Sequence, residues 1–252
     1  MVRRIKLFIT EVYSFGFFVL LTVVFYSCIN ENLTAKQIIE QTVDVHGGLD
    51  NWKNIKQLSF DKKVTLFFEN GQIEREADQF QLFQWQEPFG KIEWEENGVS
   101  HMIIYEGKTI QKIENDTIVN SQSAIDNAKK AFFASEFVIK QPFDLLNNNV
   151  FLTREKDTVI DTKDYYVISV FYKDEAPDAD RWHYVIDKES SEIFANKVVL
   201  KDHTSWVENL NFDTETNFKF NAHRKSYRLN TAGEKTYLRA EYFYQDFSII
   251  KN

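Results

Sequence analysis

The sequence predicts a mainly β fold with a few helices, in which a curved antiparallel sheet forms a barrel or partial barrel. An N-terminal helix and one mid-chain apolar helix are expected beside this sheet. The chain of 252 residues holds 5 Trp, 11 Tyr and 23 Phe, and aromatic side chains favour the pleated surface of strands. Short runs that alternate apolar and polar residues recur and predict about ten strands. A sheet of that size curls rather than staying flat.

Composition limits the class of protein. Hydrophobic residues make up 43% of the chain and charged residues 27%, as in ordinary globular proteins, so disorder over the whole chain is excluded. The net charge of −8 argues against nucleic acid as a partner, because phosphate binding needs a basic surface. No internal repeat and no Pro/Gly/Ser-rich linker interrupts the chain. We therefore expect a single domain over residues 34–252.

The first 27 residues have the layout of a secretory signal peptide. Arg3, Arg4 and Lys6 form a basic head, and residues 12–26 follow as a run of 15 residues without a charge. This run is shorter than the about 20 residues that a membrane-spanning helix needs. We predict a cleaved signal peptide over residues 1–27.

Cys28, the only cysteine, follows the apolar run directly. The segment Phe25-Tyr26-Ser27-Cys28 resembles the lipobox of bacterial lipoproteins, in which the cysteine receives acyl chains such as palmitate and becomes the new amino terminus. Cys28 is therefore the predicted lipid attachment site, with residues 28–33 as a lipidated tether to the membrane. The alternative is an uncleaved signal anchor with an incidental cysteine.

The first element of the mature chain is a helix. Thr34 and Gln37 have the spacing of a capping box, and the Gly47-Gly48 pair ends the helix. His46 would lie in the last turn as a cation that complements the helix dipole. Asp50 is expected to cap a second short turn.

From residue 57 the pattern is that of strands. Asn70-Gly71 and Asn97-Gly98 predict hairpin turns, so five strand candidates up to residue 113 form an antiparallel meander. Residues 121–140 break this pattern as a helix, capped by Ser121 or Ser123, that is apolar nearly all round at its end. Such a helix should be buried on more than one side.

Strands resume at Val150 and continue to the C-terminal end of the chain. They include the segment 165–172, two separate short strands at 218–222 and 225–229, and a last hairpin turn at Ala232-Gly233.

Motifs for catalysis and metal binding are missing from the sequence. The five histidines show no metal-ligand spacing, and there is no Gly-x-Ser-x-Gly nucleophile elbow and no phosphate-cradling glycine loop. The acidic loop at 174–180 is interpreted as a solvated turn, with a calcium site as the alternative. We predict that the protein is not an enzyme and uses no metal or cofactor.

The whole layout resembles a known superfamily. A lipobox, a helix that ends in His46-Gly47-Gly48, and a long β-meander interrupted by one apolar helix resemble the LolA- and LolB-like carriers and related outer-membrane lipoprotein-sorting proteins. The segments 164–166 and 186–189 resemble, more narrowly, a family of uncharacterised lipoproteins from Bacteroidetes. The superfamily resemblance implies a half-open barrel whose mouth is covered by helices, an apolar cavity for acyl chains, and no catalysis.

This resemblance and the aromatic content lead to one functional hypothesis. We expect a lipid-anchored protein of the cell envelope, at the periplasmic or surface face of the outer membrane, that binds or transfers a lipid or lipidated polypeptide. The alternative is a protein–protein interaction module of the envelope with a filled barrel and no ligand. The predicted ligand-binding residues are aromatic and lie on the mid-chain helix or on strands: Phe83, Trp85, Trp94, Phe132, Phe133, Phe137, Trp182 and Tyr184.

Overall fold

The structure is a computed structural model that describes residues 33–173 and 179–252. The predicted signal peptide, Cys28, nearly all of the tether and most of the acidic loop at 174–180 lie outside the described residues. Residues Ala35–Asn252 form one compact unit with its own hydrophobic core. This unit contains every strand and helix given below, so we expect it to fold on its own.

Three α-helices and one 3-10 turn accompany the sheet in the described part of the chain. They are α1 (Ala35–Val45), α2 (Leu49–Lys53), α3 (Gln122–Lys140) and the 3-10 turn Phe143–Leu146.

The described residues form fourteen strands in one sheet. The strands are β1 (Ile55–Phe67), β2 (Ile73–Gln84), β3 (Phe89–Glu96), β4 (Val99–Glu106), β5 (Thr109–Glu114), β6 (Thr117–Ile118), β7 (Val150–Arg154), β8 (Thr158–Ile160), β9 (Lys163–Tyr172), β10 (Arg181–Asp187), β11 (Ile193–Val199), β12 (Thr204–Phe212), β13 (Asn221–Leu229) and β14 (Lys235–Lys251).

The sheet consists of two antiparallel meanders joined at its centre. Its order is β6-β5-β4-β3-β2-β1-β14-β13-β12-β11-β10-β9-β7, with β8 paired to β9. The first and last strands, β1 and β14, pair with each other from Ile55 to Leu66. The sheet is not closed, since β6 and β7 are its two edges. The predicted fold class, a curved antiparallel sheet that forms a half-open barrel, is confirmed.

Helix α1 buries the face formed by Ile38, Ile39 and Val43. Gly47 follows it with φ +125°, a left-handed conformation that glycine adopts without steric cost. A Cβ atom at Gly47 would lie only 2.5 Å from Cδ1 of Phe218, so the chain also needs glycine there for close packing.

The interpretation of His46 as a cation is wrong. Its side chain is 2% exposed, and Nδ1–H donates a hydrogen bond of 2.8 Å to the carbonyl oxygen of Thr42. Burial lowers the pKa of His46 to about 4, so the imidazole is neutral at neutral pH. A buried imidazole cannot keep the charge that a solvated one would offer to the helix end.

Two local predictions are also wrong. Asp50 does not cap α2, because the N-cap is Gly48 and Asp50 lies in the first turn. Residues 218–220 are not strand, and β13 runs unbroken from Asn221 to Leu229. Phe218 and Phe220 lie in the loop before β13, where Asp213 accepts hydrogen bonds from Thr216. Their apolar character reflects burial of the loop rather than a strand pattern.

An aromatic cluster fills the space around α2. The Trp52 ring stacks on Phe143 at 4.5 Å between centroids and lies 4.7 Å from Trp85. Phe218 and Phe220 meet Trp52 edge-on. Helix α2, the 3-10 turn and two of the loops between strands are therefore tied together at one buried tryptophan.

The predicted mid-chain helix is present as α3, and Ser121 rather than Ser123 is its cap. Helix α3 packs on the first meander. Its Phe132 ring lies 5.4 Å from Phe83 and 5.2 Å from Tyr105. Gly90 stands between these two residues in the sheet register, and a Cβ there would be 2.3 Å from Cζ of Phe132. The glycine makes the recess that the ring occupies.

Candidate ligand-binding cleft

A cleft of about 360 Å³ lies between α3 and the sheet face that α3 covers. The helix contributes Ala131, Ala134, Ser135 and Val138, which share one stripe at helical spacing. The remaining wall comes from strands of both meanders: Lys62, Arg75, Gln79, Gln81, Ile92, Trp94, Ile103, Trp182, Val207, Arg224, Tyr242 and Tyr244. We refer to this space as the cleft.

Strand alternation places the polar side chains of the cleft. Lys62 is paired in register with Tyr244 on one side and Gln79 on the other, and Gln79 is paired with Trp94. Side chains of directly paired residues share one face of a sheet. This row therefore crosses the cleft wall from β14 to β3.

Three cationic side chains and no carboxylate line the cleft in the described part of the chain. Arg75 is neutralised by Glu96, to which Nε and Nη2 donate at 2.7 and 2.6 Å. The Arg75 hydrogen bond holds the pKa of Glu96 below its ordinary value. Lys62 and Arg224 have no such partner within 4.0 Å among the described residues.

Arg224 is only 3% exposed and is held by neutral groups. Its Nε donates to Oδ1 of Asn209 at 2.8 Å, and its Nη2 donates to Oδ1 of Asn196 at 3.2 Å. Burial raises the pKa of Tyr244, and the charge of Arg224 and its hydrogen bond to the phenol oppose this rise. A buried charge that meets only neutral partners is expensive in protein interiors.

Lys62 lies against the two tyrosines of β14. Its Nζ is 5.4 Å from the ring centroid of Tyr242 and 5.6 Å from that of Tyr244, a cation–π arrangement. Burial lowers the pKa of Lys62; Tyr242 opposes this shift, and the positive charge of Arg224 adds to it. The two cations thus repel each other inside one space.

The far wall of the cleft is built around Trp94. His101 stacks on it at 4.9 Å, and Nζ of Lys112 lies 4.1 Å from the ring centroid. Nζ of Lys112 also forms a hydrogen bond of 3.0 Å with Nδ1 of His101, so the Lys112 side chain is held behind the Trp94 ring.

The structure separates the predicted site residues into three groups. Trp94 and Trp182 line the cleft, and the Phe137 ring lies 4.8 Å from Trp182. Phe133 contacts Tyr105 beside Phe132. The other predicted residues lie in packed aromatic surroundings: Phe83, Trp85, Phe132 and Tyr184.

The polar residues of the cleft were missed by the sequence analysis. One signal was present, since Lys62 stands between Phe60 and Val64 at the inward positions of β1. A cation in the apolar phase of a strand indicates a polar feature of the interior. Arg224 gives a weaker signal, because its strand is mixed in polarity on both faces.

Metal-binding clusters and membrane-crossing helices were both sought among the described residues. Within residues 33–173 and 179–252, no group of three or more His, Cys, Asp or Glu side chains is arranged to hold a metal ion. No helix in these same ranges has the length and apolar character that crossing a membrane requires.

Three solved structures share this fold. A LolA superfamily protein from Nitrosomonas europaea matches with a TM-score of 0.58 at 10% identity, over 88% of this chain and 96% of that one. A DUF1329 family protein from Desulfovibrio piger matches with a TM-score of 0.53 at 8% identity, over 86% and 94% of the two chains. A domain named for outer membrane lipoprotein sorting, from Vibrio parahaemolyticus, matches at 0.51 and 9% identity, over 84% and 91%.

The chain therefore has the LolA-like fold, and the expected resemblance to this superfamily is confirmed at the level of the fold. A family model matches residues 15–204, and the chain belongs to that family, DUF6503, a family of unknown function. No curated protein matches the sequence.

Proposed function

We propose that the protein binds an amphiphile, a lipid or a lipidated polypeptide, in the cleft between α3 and the sheet, and that it does so without catalysis. The observation that carries this proposal is the cleft itself, whose volume of about 360 Å³ is within the range of small-molecule sites. Ile92, Ile103 and Val207 give it apolar walls. Burying an acyl chain against such walls is favourable at about 25 cal/mol per Å².

The proposal includes a place in the cell. Signal cleavage before Cys28 and acylation of this cysteine would hold the domain 34–252 on an envelope membrane, with residues 28–33 as the tether. We place it at the outer membrane or its periplasmic face. The LolA-like fold supports an envelope role, since one solved protein of this fold is named for lipoprotein sorting.

The competing hypothesis, an interaction module with a filled barrel, is less well supported. Aromatic rings fill the part of the interior around Trp52 and Phe132. Space remains beside the Ala131–Val138 stripe of the helix, where two alanines leave the cleft wide. A filled module would not need this space.

The test is to fill the cleft from the helix side. Ala134 lines the cleft and is exposed, so Ala134→Trp should fold and should occupy the space. We expect saturable binding of the uncharged probe N-phenylnaphthylamine to the parent unit 35–252, measured by fluorescence, and binding about tenfold weaker in the variant.

The matched control is Gln122→Trp, an exposed position of the same helix that does not line the cleft. It should bind the probe as the parent does. Absence of saturable binding in the parent, or equal binding by a folded Ala134→Trp variant, would contradict the proposed function.

A further inference from the structure

The charge of the cleft is opposite to that of the whole protein. The chain carries a net charge of −8, yet the described lining contains Lys62, Arg75 and Arg224 and no Asp or Glu. Arg75 is paired with Glu96, which leaves two cations without a counter-ion. The cleft therefore carries two positive charges that no described carboxylate balances.

Two hydrogen-bonding groups near Arg224 are left without a partner in the described part of the chain. Asn196 accepts from Arg224 through Oδ1, and its Nδ2 has no partner among the described residues. Tyr184, paired in register with Asn196, has a buried hydroxyl that is likewise unpartnered in the described part of the chain. Neither side chain lines the cleft, so an anion there would meet the unpaired charges of Lys62 and Arg224.

Two carboxylates on strands next to the cleft are engaged elsewhere. Glu241 is paired with Lys225 in register, and it bonds His223 at 2.7 Å and Lys225 at 3.4 Å. Glu208 bonds Lys235 and Trp206. Neither residue lines the cleft.

We propose that the cleft selects an amphiphile with a single anionic headgroup, a carboxylate or a phosphate, which Lys62 and Arg224 bind while the chain lies against Ile92, Ile103 and Val207. This inference rests on the proposed function and names the ligand class of the same site. The hydroxyl of Tyr244 donates a hydrogen bond to the same headgroup. The uncharged walls select only by size and shape, whereas the two cations select by charge.

The experiment compares ligands with one chain and different heads. Dodecanoate, dodecyl phosphate and dodecanol are titrated below their micelle concentrations into the unit 35–252, with displacement of N-phenylnaphthylamine as the signal. We expect the two anions to bind about tenfold more tightly than dodecanol. The stronger of the two anions identifies the headgroup as carboxylate or phosphate.

Lys62→Met removes one charge from the cleft and keeps the length of the side chain. We expect it to lower the affinity for the anions about tenfold and to leave that for dodecanol unchanged. Lys63→Met is the matched control, since Lys63 is exposed on the opposite face of β1. Arg224→Gln, checked for folding by circular dichroism, tests the second cation in the same way.

The outcomes separate the two proposals. Equal affinity of the parent for all three ligands overturns the anionic inference and leaves the proposed function standing. Loss of anion binding in Lys63→Met to the same degree as in Lys62→Met also overturns the inference. If none of the three ligands displaces the probe and the probe itself does not bind, the proposed function fails.

Discussion

His46 is a neutral imidazole in the interior of the protein, and this has a consequence for stability. Its folded pKa of about 4 is below the ordinary value of 6.5. The unfolded chain therefore binds more protons than the native one between these two pH values. The part of the stability that depends on neutral His46 is fully present above pH 6.5 and is lost as the pH falls to 4.

We predict a loss of about 3 kcal/mol in the free energy of unfolding across this window. Urea denaturation at a series of pH values measures it. His46→Leu removes the titrating group, so the variant should lack this part of the pH dependence, although it loses the bond to Thr42. An identical slope in parent and variant would assign the effect to other groups.

At the scale of elements, the contact between α3 and the sheet depends on Gly90, which has no side chain. Phe83, Gly90 and Tyr105 stand side by side in the register of β2, β3 and β4. The Phe132 ring enters the recess above the glycine. Helix and sheet are thus fitted together by a small residue flanked by two rings.

Gly90→Ala should destabilise the protein by about 1–3 kcal/mol, because the new methyl group overlaps a buried ring. Thermal or urea unfolding measures this, and a double-mutant cycle isolates the cause. In a Phe132→Leu background the same change should cost clearly less. Equal costs in both backgrounds would mean that contact with the Phe132 ring is not the cause of the destabilisation.

Elements with local signals could be predicted from the sequence. Asn97 and Gly98 both adopt positive φ, as their hairpin turn requires, and Ser121 caps α3. Residues 218–220 could not be assigned, since an apolar loop that packs on Trp52 has the same composition as a buried strand. Only the tertiary contacts distinguish the two.

At the scale of the whole molecule, the pairing of the chain's first and last strands determines the cleft. Lys62 on β1 and Tyr244 on β14 are 182 positions apart in the sequence and are direct neighbours in the sheet. No local pattern predicts such a pairing, so the aromatic residues were expected to form the site and its two unpaired cations were not. The polar wall of the cleft follows from this long-range register.

The proposed place of the protein at a membrane requires an anchor. With a net charge of −8, its surface is repelled by anionic headgroups, and no membrane-crossing helix is present among the described residues. Acyl chains contribute about 0.8 kcal/mol per buried CH₂, enough for several chains on Cys28 to hold the protein firmly.

We predict that Cys28→Ala releases the full chain from membranes and abolishes its labelling by a clickable palmitate analogue. Both effects are measured after a carbonate wash of fractionated cells that express the full chain. Ser27→Ala keeps a small residue before the cysteine and should remain acylated and membrane-bound. If Cys28→Ala stays with the membranes and its amino terminus is intact by mass spectrometry, residues 1–27 anchor the protein as an uncleaved helix and the tether is not lipidated.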